Sequence, residues 1–428
     1  MLDIRFIREN PGLAKAKLST RGRSLDAEVD AVMKCDTDCR LARTRLQFLR
    51  TERRRLSRQV EKLRRQGGEE ELRQVEATAQ TLGEEISTLN SLTTQLGLHQ
   101  KDLLLQLPNF PAEAVPYGAG ALDNLTLRSW GSPETGARED HISIGRRLGL
   151  FDFDRATKIS GSGFLCLTGA GARLERSLLN FLLDLHTMQH GYREVNTPSL
   201  VHRECMVGTG QLPKFEEDMY AISGDKSSLF LAPTAEVPVT NLFRDEVLSI
   251  SHLPLCLAAY TPCFRREAGS AGHDTRGMIR LHQFDKVELV KICEVGNSEQ
   301  ELQSLTTDVE KVLQLLNLPY RTVELCAGDL GFSASRTYDV EVWSPGQKSF
   351  LEVSSCSNFR DFQSRRMNLR YKDYGGKIRF AHTLNGSGTA LPRLYVALLE
   401  NHVQSDGSVL LPQSLRGYFR ADCIEPVS

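Results

Sequence analysis

A repeat of apolar residues in steps of three and four, interrupted once by a pair of glycines, most narrowly limits how this chain can fold. It runs from Val32 to Leu63, stops at Gly67 and Gly68, and resumes over residues 72–96. Apolar residues at this spacing line one side of an α-helix and pack against a second helix. We therefore predict an antiparallel two-helix coiled coil with its tip at the glycines, about 50 Å long for roughly 35 residues per helix. The seam positions are Val32, Cys35, Cys39, Ala42, Leu46, Leu49, Arg53, Leu56, Val60, Leu63, Leu72, Val75, Ala79, Leu82, Ile86, Leu89, Thr93 and Leu96.

The cysteines indicate a reducing compartment. Cys35 and Cys39 fall on the seam of the repeat, where we expect small apolar core residues rather than a pair of metal ligands. The ten cysteines are scattered without a CxxC pair. No leader with an apolar core precedes them, and no apolar run is long enough to span a bilayer. We therefore expect a cytoplasmic protein with reduced thiols and no membrane partner.

The two helices of the predicted coiled coil carry opposite charge. Eleven basic residues lie between Arg40 and Gln66, and only Glu52 and Glu61 oppose them. The returning helix is rich in glutamate, so part of the basic charge forms ion pairs in a solvated coiled coil. More basic residues are present than these ion pairs require. Because the whole chain has a net charge of only −1, this excess favours a local face that follows nucleic-acid phosphates. The candidate contact residues are Arg43, Arg50, Arg54, Arg58 and Arg65.

Length and composition divide the chain. Its 428 residues are too many for a single core, so two or more domains are expected. The helical region ends at Leu107 to Pro111, and the segment after it is rich in Gly, Pro and Asn, which is typical of a linker. We predict an N-terminal domain over residues 1–107, a linker over 108–136 and a second domain over 137–428.

The stretch from Tyr260 to Glu288 holds the densest group of chemically useful side chains. Two alternating runs flank a polar loop that contains glycines together with His273, Asp274 and Arg276, a pattern that predicts two antiparallel strands. One interpretation is a surface hairpin with solvated charges. The other is a binding face, because arginines match phosphate oxygens, an aromatic ring stacks on a base, and a carboxylate meets an ammonium group. Alternation on the second strand would place on one face Arg280, His282, Phe284, Lys286 and Glu288.

The pattern FRxE, a loop and then RxxxFxxxE resembles motif 2 of the class II aminoacyl-tRNA synthetases. The amino-acid sequence from Phe264 to Glu288 is similar to that of the seryl-tRNA synthetases in particular. The predicted helix Gly171–Leu185 and the predicted strand Gly191–Pro198 resemble motif 1 of the same class. A glycine-containing turn over residues 383–393, followed by a helix, resembles motif 3. The resemblance extends over essentially the whole chain. It implies an α+β fold, in which an N-terminal antiparallel two-helix coiled-coil arm precedes a class II domain of antiparallel β-sheet flanked by helices.

The resemblance also implies an activity. Enzymes of this family use ATP and Mg²⁺ to convert L-serine into seryl-adenylate, and then transfer the seryl group to the 3′ end of tRNA-Ser. A selenocysteine tRNA is a further candidate substrate, and a homodimer is the expected assembly. Two alternatives are an inactive RNA-binding paralogue and a ligase that loads an amino acid onto a carrier protein. The first should have lost its key charged residues, and the second lacks the long arm.

Site residues follow from the same resemblance. Arg265 would hold the α-phosphate and the serine carboxylate, Glu267 the adenine amino group, and Arg393 the γ-phosphate. The three expected catalytic residues are Arg265, Glu352 and Arg393. The expected serine-binding residues are Thr234, Ala235, Glu236, Arg265, Glu288 and Ser387, with Glu288 accepting the serine hydroxyl. The expected ATP-binding residues are Arg265, Arg266, Glu267, Leu281, Phe284, Glu352, Val353, Ser354, Ser355 and Arg393, of which Glu352 and Ser355 would hold Mg²⁺. Structural alternatives are a helix cap at Thr234 and a buried serine-rich strand end at 352–355.

Overall fold

The computed structural model describes residues 1–134, 139–222, 224, 229–268 and 277–427, which form two compact units. The first unit comprises residues Leu2–Ser19 and Arg23–Pro108, and the second comprises Met1, Thr20–Gly22 and the chain from Asn109 onward. The loop residues His273, Asp274 and Arg276, singled out above, lie outside the described residues.

The first unit is helical. Its four helices are α1 (Ile4–Glu9), α2 (Pro11–Ser19), α3 (Asp26–Gln66) and α4 (Glu69–Gln106). The φ angle of Gly67 is 83°, and its N–H donates to the Leu63 carbonyl, so this glycine ends α3 in the left-handed conformation. Leu46 packs near Ile86, and Leu63 near Val75, so the two long helices run antiparallel. The predicted coiled coil is confirmed, although α3 begins six residues before Val32.

Both cysteines of the coiled-coil seam are buried, whereas one seam position, Arg53, is exposed. Cys35 and Cys39 are buried, as expected of small apolar core residues. Arg53 occupies a seam position in the repeat but is exposed. Its guanidinium carbon lies 3.9 Å from where a Cβ on Gly83 would stand, so the missing side chain of that glycine leaves room for the arginine. The prediction that Arg53 belongs to the apolar seam was therefore wrong.

The second unit is built on an eight-stranded sheet in the order β1-β8-β9-β10-β13-β7-β6-β2, antiparallel throughout except between β2 and β6. Its strands are β1 (Leu125–Trp130), β2 (Arg193–Glu194), β3 (Leu200–His202), β4 (Leu229–Leu231), β5 (Val247–Ser249), β6 (Leu255–Phe264), β7 (Gln283–Cys293), β8 (Tyr320–Glu324), β9 (Arg336–Ser344), β10 (Ser349–Arg360), β11 (Arg370–Lys372), β12 (Ile378–Phe380), β13 (His382–Ala390), β14 (Val409–Leu410) and β15 (Cys423–Ile424). Its helices are α5 (His141–Arg147), α6 (Phe153–Ser160), α7 (Ala170–Asp184), α8 (Arg203–Thr209), α9 (Glu236–Asn241), α10 (Ser298–Leu315), α11 (Phe362–Met367), α12 (Leu391–His402) and α13 (Gln413–Phe419).

The two faces of the central strands have different partners. On β7, Val287 and Leu289 join the main hydrophobic core with residues of α7, α10 and α12. Lys286 and Glu288 alternate with them and point to the opposite face. An antiparallel sheet covered by helices on one face leaves the other face for polar side chains, and that polar face positions the site described below. The predicted α+β fold with an antiparallel sheet is confirmed.

The segment predicted as a linker contains a strand. Residues 109–134 belong to the second unit, and Leu125–Trp130 pairs with β8 at the edge of the sheet. Most of this strand is exposed, which an edge position permits. The glycines and prolines around it suggested a linker because local composition does not report pairing with the distant strand β8, Tyr320–Glu324.

The motif 1 region also differs from its prediction. The helix α7 is present, but only Arg193–Glu194 pairs within the sheet, so the strand expected over Gly191–Pro198 is much shorter. The apolar side chains of α7 lie in the core of the same chain, including Leu174, Leu178 and Leu182. The core of the chain therefore covers the apolar side of α7.

The motif 3 region is a strand, where the sequence suggested a glycine-containing turn. Gly386 and Gly388 lie inside β13. A Cβ on Gly386 would stand 2.4 Å from Leu305 of α10, and one on Gly388 would stand 2.9 Å from the His186 ring. These glycines allow close packing rather than a turn.

Across the described residues, every helix is too short or too polar to traverse a lipid bilayer.

Candidate active site

A cavity of about 730 Å³ opens on the polar face of the sheet. Seven of the residues predicted for substrate binding line it: Thr234, Glu236, Arg265, Glu267, Glu352, Ser355 and Ser387. They come from β10, β13, the segment that follows β6 and the start of α9 with the residues before it, so the fold brings together positions that are more than 150 residues apart. This convergence of charged and hydroxyl side chains in one concavity makes the cavity the candidate active site.

Glu288 is the centre of a buried polar network at one end of this cavity. It is 0% exposed, and it lies on β7 directly opposite Ser387 of β13. Thr234 donates its hydroxyl to one carboxylate oxygen at 2.5 Å, and Asn385 donates to the other oxygen at 2.9 Å. Lys286 forms an ion pair with the same carboxylate and donates to Thr234 Oγ1 at 2.7 Å. The network therefore fixes the positions of Lys286, Thr234 and Asn385 together.

This placement changes the expected role of Glu288. Lys286, Thr234 and Ser387 line the cavity, whereas the Glu288 carboxylate lies behind them. A ligand in the cavity meets those three side chains before it reaches the carboxylate. This geometry favours a role for Glu288 in holding Thr234, Lys286 and Asn385 in position along the cavity. Direct contact of Glu288 with a substrate hydroxyl stays a prediction.

Glu236 lies in the wall of the cavity at the start of α9. The side chain is 7% exposed, and burial together with the nearby Glu288 carboxylate raises the pKa of Glu236 to about 7. Gln363 opposes this shift by donating its amide to Glu236 Oε1 at 2.5 Å. The Thr234 hydroxyl accepts the Glu236 N–H at 3.4 Å. The N-cap of α9 is Ala235 and the helix has no side-chain cap hydrogen bond, so the interpretation of Thr234 as the helix cap was wrong, whereas Thr234 does line the cavity.

A β-bulge on β10 brings Glu352 and Ser355 to the same face. Residues three apart on a regular strand point to opposite faces. Here the pairing with β9 shifts register between Glu352 and Ser354, so the extra residue Val353 reverses the alternation. As a result Glu352 and Ser355 both line the cavity, while Val353 packs in the core.

Asp339 lies on β9 directly opposite Ser355. Burial and the neighbouring Glu352 carboxylate raise the pKa of Asp339 well above its usual range, and a hydrogen bond with Ser355 acts against that rise. Its Oδ1 atom is buried and has no hydrogen-bond partner within the described chain. This corner of the site thus concentrates oxygen atoms that suit a cation.

A second cavity, of about 260 Å³, adjoins the first. The residues that line both cavities are Arg265, Glu267, Arg280, Lys286, Glu352 and Ser387. The guanidinium carbon of Arg265 lies 5.2 Å from the centre of the Phe284 ring. Arg280 pairs with Glu267 at 3.2 Å. An aromatic face beside two arginines could receive a planar base and its phosphates. Of the residues predicted for ATP, those lining this cavity are Arg265, Glu267, Leu281, Phe284, Glu352, Val353 and Arg393.

Arg393 extends from the first turn of α12 to Glu352. Its Nη1 atom lies 2.8 Å from the Glu352 carbonyl and 3.3 Å from the Glu352 carboxylate. The two side chains remain 28% and 45% exposed. An exposed ion pair of this kind contributes only about 0–1 kcal/mol, so a charged ligand could separate the two side chains at low cost.

Five predicted residues do not line either cavity: Glu288, discussed above, and four others. Ala235 is buried beneath its neighbours, and Arg266 is exposed to solvent. The Ser354 hydroxyl lies 3.5 Å from Cys356 Sγ on the core side of β10. His282 precedes β7 and stacks on Phe164, so the prediction that it shares a face with Lys286 was wrong.

Three residues that the sequence patterns gave no role belong to or support the site: Lys286 and Asn385 line the cavity, and Gln363 contacts Glu236 from outside the cavity. Lys286 was on the predicted strand face, and Asn385 was within the motif 3 segment. Gln363 lies on α11, about 130 residues from Glu236, and only the folded chain shows that the two side chains meet.

The first unit presents a separate basic surface on α3. At about 100° per residue, Arg43, Arg50, Arg54, Arg58 and Arg65 fall within an arc of roughly 80°. Arg43, Arg54 and Arg58 form no ion pair within the described part of the chain. Arg65 pairs with Glu61, and Arg50 donates to Asn90. The predicted contact residues thus form one exposed stripe whose charge is largely uncompensated.

Each of the two units contains a match to a known protein family. Residues 1–111 match the family profile of the seryl-tRNA synthetase N-terminal domain, and residues 219–402 match the tRNA synthetase class II core domain (G, H, P, S and T). The chain is 53% identical to a serine–tRNA ligase of Akkermansia muciniphila, covering 100% of this chain and 99% of the relative. It is 50% identical to a serine–tRNA ligase of Acidithiobacillus ferrooxidans, with 98% of both chains covered.

Solved structures show the same similarity. The seryl-tRNA synthetase of Pyrococcus horikoshii, determined as a complex with ATP, aligns with a TM-score of 0.92 and 35% sequence identity over 100% of both chains. Identity at this level over the entire length establishes the relationship, and the predicted site residues from Thr234 to Arg393 lie within the matched core domain. The chain belongs to the seryl-tRNA synthetase family, the class II serine–tRNA ligases.

Proposed function

We propose that this chain activates L-serine with ATP to give seryl-adenylate and pyrophosphate, and then transfers the seryl group to the 3′ end of tRNA-Ser. The observation that carries the proposal is a pair of adjoining cavities, in which a buried acidic network lies next to arginines beside an aromatic ring. An inactive paralogue would be expected to lose such groups, yet Arg265, Glu288, Glu352 and Arg393 are all present. A carrier-protein ligase is disfavoured because the long arm is present and the relatives match over their full length.

The first step needs little covalent help from the protein. The serine carboxylate attacks the α-phosphate in line, so the protein contributes position and charge neutralisation. Arg265 belongs to the walls of both cavities, which supports a role for its guanidinium between the region proposed for serine and the region proposed for ATP. It would hold the serine carboxylate and the α-phosphate together.

The serine subsite would use the buried network. The ammonium group of serine would meet Glu236, since a carboxylate in a cavity wall is its natural partner. The hydroxyl group would meet Thr234, Lys286 or Ser387, which the Glu288 network holds in place. The proposed role of Glu288 is thus to position the groups that recognise the hydroxyl.

The ATP subsite would use the second cavity. Adenine would stack on Phe284 with its amino group at Glu267, and Arg393 would receive the γ-phosphate. Binding would separate Arg393 from Glu352, because the arginine gains phosphate oxygens and the glutamate becomes available to a cation. A charge-assisted contact with phosphate is about twice as strong as a neutral hydrogen bond, so this exchange is favourable.

The residues at this corner fit Mg²⁺. Glu352 and Ser355 offer hard oxygen donors on the same face of β10, and Asp339 has a buried carboxylate oxygen without a partner beside them. No group of three or more His, Cys, Asp and Glu residues in the described chain could enclose a metal ion. The protein would therefore supply part of the coordination shell and the phosphates the rest. When bound, Mg²⁺ would neutralise charge on the phosphates.

The substitution Glu352→Gln tests this assignment. It keeps the shape of the side chain and removes its charge. We expect the rate of serine-dependent ATP–pyrophosphate exchange to fall at least about 100-fold, because a metal ligand and its charge are lost. The KM for serine should change less than about threefold. Glu139→Gln is a matched control, since Glu139 also pairs with an arginine, at 2.6 Å, but lies outside both cavities. Exchange by the Glu352 variant at the parent rate would show that the metal corner is placed wrongly.

We also propose a C2 homodimer, which rests on the family resemblance alone because the apolar face of α7 is covered by the chain's own core. Light scattering should give a mass of about 96 kDa at micromolar concentration, twice the 47.9 kDa of the chain. A mass of one chain under these conditions would contradict the proposal.

The proposed compartment is the cytoplasm, where tRNA is charged. All ten cysteines are free in the structure, which agrees with a reducing environment. A selenocysteine tRNA is a further proposed substrate, and charging assays with that tRNA would test it.

A further inference from the structure

Gln363 connects three elements beneath the serine subsite. It lies in α11 and is 0% exposed. Its Nε2 atom donates to Glu236 Oε1 at 2.5 Å and to the Thr209 carbonyl at the end of α8 at 3.1 Å. Its Oε1 atom accepts the Thr383 hydroxyl of β13 at 2.6 Å. Every polar atom of this buried amide is therefore used.

The surroundings allow the amide only one satisfied orientation. The Thr209 carbonyl can accept a hydrogen bond but cannot donate one, so the NH₂ end must face it. The same NH₂ group then faces Glu236, and the amide oxygen faces the Thr383 hydroxyl. Flipping the amide would set two oxygens against each other at Glu236 and again at Thr209.

Gln363 is also the one side chain in the described chain that donates a hydrogen bond to the Glu236 carboxylate. This carboxylate is buried and close to a second acid, Glu288. Both conditions favour its protonated form, whereas the Gln363 donor and the nearby Lys286 and Arg265 cations favour the ionised form. The amide thus acts directly on the charge of Glu236 as well as on its position.

We propose that Gln363 is a positioning residue for the amino-acid substrate: it holds the Glu236 carboxylate in the orientation and charge state that binds the ammonium group of the substrate. The inference rests on the proposed activation of serine. Gln363 itself does not line the cavity, so it acts through Glu236.

The effect of pH follows from the sign of the Glu236 shift. The pKa of Glu236 is raised to about 7, and the ammonium group needs the ionised form. The KM for serine should therefore fall as the pH rises through 7. Loss of the Gln363 amide removes an influence that lowers the pKa, so the carboxylate should ionise only at higher pH in a variant.

The test measures ATP–pyrophosphate exchange by the full-length protein and its Gln363→Leu variant from pH 6 to 9. At pH 7 we expect the serine KM of the variant to rise about tenfold, with kcat and the ATP KM within about threefold. The difference in serine KM should shrink toward pH 9. Thr383→Val removes the bond at the other end of the amide, and should raise the serine KM in the same direction by about threefold. The control is Gln314→Leu, because Gln314 is a half-buried glutamine that donates to the Tyr320 hydroxyl at 2.9 Å, away from the cavity.

The outcomes separate the two proposals. No serine-dependent exchange by the unmutated protein would overturn the proposed function itself. Normal exchange by the unmutated protein together with a parental serine KM in Gln363→Leu would overturn only the positioning role. An equal rise in the KM values of serine and ATP at every pH would also overturn it, because a merely structural residue acts without regard to the charge of Glu236. If Gln363→Leu does not fold, the pH profile of Thr383→Val decides: the same alkaline shift supports the role, and an unshifted profile contradicts it.

Discussion

Removing residues 32–96 behind a short linker is expected to lower aminoacylation of tRNA-Ser at least about 100-fold, while serine-dependent ATP–pyrophosphate exchange stays within about threefold of the intact protein. The exchange reaction needs only serine and ATP, and every residue of the two cavities lies in the second unit. Aminoacylation also needs tRNA, and the exposed arginine stripe lies on α3 in the first unit. Phosphate contacts by such a stripe dominate the affinity of many nucleic-acid complexes.

Point variants test the same result with the arm in place. Arg54→Ala with Arg58→Ala removes two arginines of the stripe that have no ion pair in the described chain. Arg55→Ala is the matched control, because Arg55 is one residue away and pairs with Glu52 at 3.0 Å. The double variant should weaken tRNA binding and reduce the salt dependence of binding, whereas the control should do neither. Full tRNA charging by the protein lacking the arm would show that the coiled coil is only structural.

Replacing Glu288 by glutamine is expected to lower kcat/KM for serine activation more than about 100-fold. Thr234, Lys286 and Asn385 all direct donors at the Glu288 carboxylate. An amide would turn one of its own donors toward them and would leave the Lys286 ammonium without an anion. Breaking a buried charged pair in this way costs about 3–5 kcal/mol. Much of that cost should appear as disorder of the cavity wall, and therefore as lost recognition of the serine hydroxyl.

The control for this substitution is Glu310→Gln. Glu310 is likewise buried, and accepts from Arg128 at 2.6 Å and from the Thr322 hydroxyl, but it lies outside both cavities. Both variants should lose thermal stability, and only Glu288→Gln should lose serine activation. If the two variants keep serine kcat/KM equally well, the network around Glu288 does not serve the substrate.

Patterns along the chain predicted the elements better than the connections between them. The heptads from Val32 to Leu96 predicted the long helices and their tip, because a seam of this spacing can be buried only against a second helix. Alternation predicted the two antiparallel strands on either side of the polar loop, which are β6 and β7. The edge strand Leu125–Trp130 was missed, since its pairing with Tyr320–Glu324 depends on a distant segment.

Details of the site depended on features that have no local signal. A regular strand would separate Glu352 from Ser355, and only the bulge at Val353 brings them together. The glycines of β13 suggested a turn, because glycine is common in turns. In the structure they lie within the strand and make room for Leu305 and His186. Gln363 contacts Glu236 across a long stretch of sequence, so neither periodicity nor spacing could associate the two. The resemblance to a known family supplied the residue roles that the patterns left open.

The most direct test of the central claim is ATP–pyrophosphate exchange by the unmutated protein with serine, threonine, alanine and cysteine in parallel. A pocket whose polar groups bind a hydroxyl leaves those groups unpaired when alanine enters, which can lower activation about 10⁴-fold. Threonine brings one additional methyl group, which a rigid wall held by the Glu288 network should exclude. The account predicts serine activation far above that of the other three amino acids. Exchange with threonine or alanine at the rate found with serine would contradict the assignment of serine as the substrate.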